Sequence, residues 1–366
     1  SQPARMANVS GNENSPPSGT TWEIDAGYGQ AIVTSCMVHG SAVHVTVSAE
    51  NYFAGKQVTV QVPSGSGGTY HVYCQLVQRN IKKYIPGDPK TVIQNMPGGG
   101  GAKSAAYMMN VAPKDGTYIA MVAPGVITTP LIRKVRYDAR KFNWLGAPAA
   151  RAAGVFFWHT SGIKTLNDIK TKETTLATSG FASSGSIFPR LVNATLGTKM
   201  KLIYGYKGGG RMNVSVEKGE TMGRNNFLSG FTGVRPTWLP KGLVKPIIMY
   251  GPKSPSKFAK GVPRLDDLLK PGSMEAKMYE VLGMNLKVGQ AFYVPPGTPK
   301  KVVKILRKSF SEMMYHPSFI EDIKKRRVEH SPVTHKQITA LINAGFDAAT
   351  PEIVKAIKKR VYTRRK

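Results

Sequence analysis

From Gly55 onward the chain passes repeatedly from a short run of alternating β-branched residues, through a glycine- or serine-rich loop, into a segment of helical period. Residues 56–63 alternate as a strand does, 64–69 form the loop, and 70–81 carry helical spacing. The same order recurs with strand 90–95, loop 97–101, helix 102–110 and strand 118–122. Strands that alternate with helices predict a mostly parallel sheet with right-handed crossovers, and such sheets gather ligands at the carboxyl ends of their strands.

At 366 residues the chain is longer than one hydrophobic core usually supports, so two lobes are expected. Strand 154–158 leads into a short helix capped by Thr165 and then into a second α/β stretch. That stretch closes on strand 243–250, whose Pro246 confines it to a sheet edge or a hinge. The expected division is residues 51–154 for the first part of lobe 1, 155–248 for lobe 2, and 249–366 for the return to lobe 1. Helices at 299–315, 316–325, 335–343 and 351–362 pack the carboxyl end back onto a lobe. Residues 1–50 read as a disordered leader: 1–21 are rich in Ser, Pro, Gly, Asn and Thr, and 31–48 resemble a degenerate signal segment without its basic flank.

The formal charge is +30, from 51 Lys and Arg against 21 Asp and Glu. Such a field draws in anions without choosing among polyanions, membranes and small molecules. The basic runs at 324–327, 358–360 and 364–366 lack the interleaved aromatics of a nucleic-acid platform and read as solvated helix faces and a frayed tail. No window of 18 apolar residues offers a membrane span. With only Cys36 and Cys74, neither a disulfide framework nor a cysteine-rich metal site is available, and Cys74 reads as a small buried residue.

Four loops sit where strands hand over to helices: 64–69, 97–101, 179–186 and 207–210. Amides at a helix start are unpaired and carry partial positive charge, so each loop offers an anion cradle without a charged side chain. One glycine loop is commonplace and sterically explained, but two in each expected lobe point to a carboxylate held between lobes. The candidate ligand contacts are Ser66, Gly67, Gly68, Thr69, Tyr70, Gly99, Gly100, Ser179, Ser183, Ser184, Ser186, Lys207, Gly208 and Asn226, with Tyr206, His71 and His159 beside them.

Catalytic signatures are missing. No serine has glycines at −2 and +2, Gly98, Gly100 and Lys103 break the dinucleotide fingerprint, and Gly210, Arg211, Met212 replace the Gly, Lys, Ser/Thr ending of a phosphate loop. The seven histidines show no zinc spacing. A non-enzyme without metal or cofactor is the expectation, and nucleic acid is not expected as a partner.

In order along residues 52–345, the chain carries Gly67, Gly68, Thr69 and Tyr70; Asn95, Met96, Pro97 and Gly98 to Gly101; Ala112, Pro113, Lys114, Asp115, Gly116 and Thr117; the serine loop 179–186; Tyr206, Lys207, Gly208 and Gly209; and Pro295, Pro296, Gly297, Thr298 and Pro299. This set resembles the substrate-binding receptors of tripartite tricarboxylate transporters, the Bug family. The resemblance implies a type II periplasmic-binding-protein fold: α/β, two lobes, each a mostly parallel sheet flanked by helices, joined by two crossover hinge strands. It also implies a monomeric periplasmic receptor that holds a mono- or dicarboxylate through backbone amides and delivers it to membrane permease subunits. Two positions depart from the family pattern, which usually has an aspartate near Tyr70 and another where Asn226 stands; both departures suggest a ligand unlike the common dicarboxylates.

Overall fold

The computed structural model describes residues 52–363 in full, and ahead of them the backbone of four short strands. These strands, β1 (Trp22–Asp25) with β2 (Gln30–Val33) and β3 (Cys36–His39) with β4 (Ala42–Val45), pair as two antiparallel hairpins. Residues 22–45 thus contain paired backbone where a disordered leader was expected, while the disorder expected over 1–21 lies outside the described residues.

Lobe 1 opens with β5 (Gln57–Val62), α1 (Thr69–Ile81), β6 (Lys90–Asn95), α2 (Ala102–Asn110), β7 (Tyr118–Met121), α3 (Pro124–Ile132) and β8 (Asn143–Ala147). Lobe 2 follows with β9 (Ala153–Trp158), α4 (Leu166–Thr171), β10 (Thr174–Ala177), α5 (Ser184–Leu196), β11 (Met200–Ile203), α6 (Gly209–Glu217), β12 (Gly223–Phe227), α7 (Ser229–Thr232) and β13 (Val244–Tyr250). The chain then returns through α8 (Leu265–Leu268), α9 (Met274–Val288), β14 (Phe292–Val294), α10 (Lys300–Tyr315), α11 (Pro317–Lys325), β15 (Val333–Thr334), α12 (His335–Asp347) and α13 (Pro351–Val361).

The lobe 1 sheet runs β15-β8-β14-β7-β5-β6 and the lobe 2 sheet β11-β10-β12-β9-β13. β6, β5 and β7 are parallel, as are β11, β10 and β12; β14 and β9 run against their neighbours. Most strands of each sheet therefore point one way, with β9 reversed in lobe 2 and both β14 and the edge strand β15 reversed in lobe 1. Pro246 has the expected effect: β13 lies at the edge, and its register slips between Pro246 and Ile248.

Local sequence explains these elements. In β5, Val58, Val60 and Val62 are fully buried, and so is Gln61 on the opposite face, because helices cover both sides of the sheet. Gln61 Nε2 donates to Ser104 Oγ on α2 at 2.6 Å, while its Oε1 is buried without a partner. α4 begins with a capping box in which Thr165 and Asp168 serve each other's backbone. α10 buries Val302, Val303, Leu306, Phe310 and Met313 and turns its lysines outward.

Two crossing segments join the lobes side by side. Arg151 between β8 and β9 donates its amide to Leu286 O at 3.0 Å, and a Cβ at Gly251, just after β13, would lie 2.7 Å from Arg151 O. Behind them one apolar cluster runs through both lobes, taking in Val126 and Ile127 of α3, Phe188 and Leu191 of α5, Val281 of α9 and Ile357 of α13. The last helix therefore packs on both lobes rather than on one. Among the described residues, no helix is long and apolar enough to cross a membrane.

Candidate functional site

The four glycine- or serine-rich loops follow β5, β6, β10 and β11, and the carboxyl ends of those strands face one cavity of about 340 Å³ between the lobes. α1, α5 and α6 all begin at its wall without a side-chain cap, which leaves first-turn amides there without a side-chain partner. Of the residues singled out from sequence, Gly68, Thr69, Tyr70, Gly99, Gly100, Ser179, Ser183, Ser184, Lys207, Gly208 and Asn226 line the cavity, as does Tyr206.

Three do not. Ser66 and Gly67 are exposed at the outer lip, where their carbonyls approach Gly210. Ser186 is fully buried with its Oγ 3.0 Å from the Tyr204 hydroxyl; two residues into α5, it is turned some 200° away from Ser184. Ser183 lines the wall, but its hydroxyl donates to Gly180 O at 2.7 Å and meets Thr178 Oγ1 at 3.0 Å, so it shapes its loop. His71 stands outside the cavity with Nδ1 3.2 Å from Asn95 Nδ2, and His159 is exposed beyond β9 beside Trp158.

The glycines do more than free amides. The lobes touch across the cleft through their loops: Gly65 N donates to Lys207 O at 2.9 Å, backbone to backbone. A Cβ at Gly68 would come within 3.1 Å of Gly209 N, and at Gly100, with φ +72°, within 2.5 Å of Ser183 N. Only residues without a side chain allow these backbones to meet, so the glycine loops act as a latch as well as a cradle.

The cavity's strongest electrostatic feature was not found from sequence. Arg224, the second residue of β12, is 5% exposed and lines the wall. Its Nη1 donates to Gly209 O and Asn213 Oδ1, both at 2.7 Å, its Nε to Asn225 O at 3.2 Å, and its Nη2 to Asn226 Oδ1 at 3.3 Å. All four acceptors are neutral, and no Asp or Glu is among the cavity-lining residues. Burial lowers the Arg224 pKa to about 9, with Tyr70 pulling it back up, so the group still carries its charge at neutral pH. Beneath it Arg151 is fully buried, donates to Val122 O at 2.7 Å, and sits 5.8 Å from the Tyr70 ring and 5.4 Å from that of Phe227. Burial pushes the Tyr70 phenol up against the opposing pull of Arg151, Ser184 and Arg224, keeping it a neutral donor.

A cavity walled by uncapped helix starts and a buried guanidinium, with no acid, is short of negative charge. The signal was available: β12 reads Gly, Arg, Asn, Asn, Phe, a polar strand that nevertheless lies in the middle of its sheet with all five residues buried.

The fold is the two-lobe α/β fold of periplasmic binding proteins. Within it, the Bug-type resemblance seen in the loop motifs holds: the structure is similar to the periplasmic binding protein BugD, with a TM-score of 0.66 at 18% identity over 84% of this chain and 98% of that one. It is equally similar to MatC of Rhodopseudomonas palustris with bound malate, at 0.65 and 18% identity over 82% of this chain and all of that one. In sequence it is similar to a UPF0065 protein from the gbd 5' region of Cupriavidus necator, 25% identical over 319 residues, 84% of this chain and 88% of that one. No family model matches the chain.

Proposed function

We propose that the protein is a periplasmic solute-binding receptor that closes its two lobes on a small mono- or dicarboxylate and presents it, as a monomer, to the permease subunits of a tripartite transporter. It does no chemistry on its ligand. The observation that carries this reading is Arg224: a buried cation in an acid-free cavity, hydrogen-bonded only to neutral oxygens. A buried charge without a counter-charge costs several kcal/mol, and a bound carboxylate supplies what is missing.

In this reading the carboxylate takes the place of water on the amides that open α1, α5 and α6 and on the hydroxyls of Thr69 and Ser184, and its charge faces Arg224. Contacts come from both lobes, so the ligand favours the closed arrangement, which Gly65 and Lys207 then hold backbone to backbone. The absence of acid from the lining selects against ligands with an ammonium group. Malate in MatC fits the same class.

The test is a thermal-shift and calorimetric screen of mono-, di- and tricarboxylates, with recovery of the ligand afterwards. A true ligand at a hundredfold excess over Kd stabilises by about 2.7 kcal/mol and is returned unchanged. Arg224→Gln weakens it by roughly tenfold to a hundredfold, the worth of about 1.5–3 kcal/mol for a hydrogen bond to a charged group. The reading fails if no carboxylate binds while another class of ligand does, or if the ligand is converted.

A further inference from the structure

Away from the cleft, a second pocket of about 430 Å³ opens where the end of α3 meets the loop before α5 and the last helix, α13. It is lined by Ile132, Arg133, Phe181, Lys358 and Tyr362. Arg190, on α5, stacks its guanidinium 4.1 Å from the Phe181 ring centre and 4.7 Å from that of Tyr362, while Arg133 approaches Phe181 from lobe 1 at 5.2 Å. The two rings are 5.1 Å apart at 59°. Arg190 spends Nε on Ser186 O and Nη2 on Phe181 O. Among the described residues no ion pair reaches Arg133, Arg190 or Lys358, and the buried hydroxyl of Tyr362 has no hydrogen-bond partner.

We infer that this pocket is an accessory site for a doubly charged tetrahedral oxyanion of the phosphate class. Arg133, Arg190 and Lys358 gather three like charges around one aromatic pair, and an anion among them relieves their repulsion. The lining donors come from two separate elements, the end of α3 and α13, and an anion with acceptors in several directions meets both at once. The guanidinium fork of Arg133 and the ammonium of Lys358 supply charge-assisted bonds, and the rings of Phe181 and Tyr362 line the pocket beside them. The basic segment at 358–360, read from sequence as a solvated face, then has a specific occupant for its first residue.

The same chemistry is present in free inorganic phosphate and in a phosphate ester such as a phospholipid headgroup, so both are titrated calorimetrically at constant ionic strength, inorganic phosphate in one arm and glycerol 3-phosphate in the other. Saturable binding is expected in at least one arm; tighter binding of the ester identifies an esterified source, and tighter binding of the free ion a soluble one. Arg133→Gln and Lys358→Gln each weaken binding about fivefold, as loss of one member of an exposed charge pair does. Arg224→Gln leaves it unchanged, since that residue lies in the cleft. The inference is overturned if neither probe binds saturably, if binding is the same in the Arg133 and Lys358 variants, or if it is lost with Arg224.

Discussion

Asn226 and Arg224 set the charge of the cleft between them. Asn226 Oδ1 accepts from Arg224 Nη2 at 3.3 Å and from the Phe227 amide at 3.0 Å. Asn226→Asp places a carboxylate on the same acceptor position, neutralises Arg224 internally and weakens its pull on an anion. Carboxylate affinity measured by calorimetry then falls about tenfold or more while the melting temperature holds or rises. The pH profile follows from the same pair. Arg224, with a pKa of about 9, stays charged below that value, and no cavity acid titrates. Affinity is therefore level from about pH 6 to 8, and it falls below about pH 5, where the ligand's own carboxylate, near pKa 4, takes a proton and loses its charge. A bell centred near neutrality in calorimetric titrations would contradict this assignment. His71 and His159 do not enter, as both stand outside the cavity.

At the scale of elements, the decisive ones are the loops and the polar strand. Gly100→Ala drives a Cβ into Ser183 across the cleft, whereas Gly197→Ala, at nearly the same φ of +70°, meets nothing within 4 Å. Both substitutions strain the backbone by about 1 kcal/mol. Only the first obstructs closure, so Gly100→Ala weakens ligand binding and abolishes the ligand-induced contraction seen by small-angle scattering, and Gly197→Ala leaves both intact. Equal binding by the two variants would remove the latch. The loops were legible in sequence because glycine and serine runs between periodic segments have few other readings. β12 carried a signal in its polar run, but its burial could not be read, because such a run between loops looks like a turn until its neighbours β10 and β9 enclose it. α3 and α9 also escaped the sequence reading: α3 is apolar on every side and holds Pro130, so no periodic face marks it, and it is helical because α9, α5 and α13 surround it.

At the scale of the whole molecule, α13 straps the lobes together. Arg360 donates to Ala194 O of α5 at 3.0 Å and pairs with Glu275 at the start of α9. That hydrogen bond to Arg360 is the first cause holding the Glu275 carboxyl below its ordinary value. A carboxyl whose folded pKa is depressed contributes stability above its unfolded pKa and loses it as pH falls through the folded value. Arg360→Ala therefore lowers the stability measured in urea by about 0.2–1 kcal/mol at pH 7, with the gap from the unaltered chain closing below about pH 4. A gap that stays constant to pH 3 would assign the effect to packing.

The sequence by itself determined the alternation of strands and helices, the two sheets that follow from it, and the loops that lie at the strands' carboxyl ends, because these depend on local period and on residues whose backbone freedom is their own. Tertiary structure decided which loops meet, that glycine is required where two backbones touch, and that Arg224 is buried with no acid beside it. Burial and counter-charge are properties of neighbours brought together from distant parts of the chain. The net charge of +30 is written in the composition, but which cation lies buried at the cleft with no acid beside it is chosen by the fold.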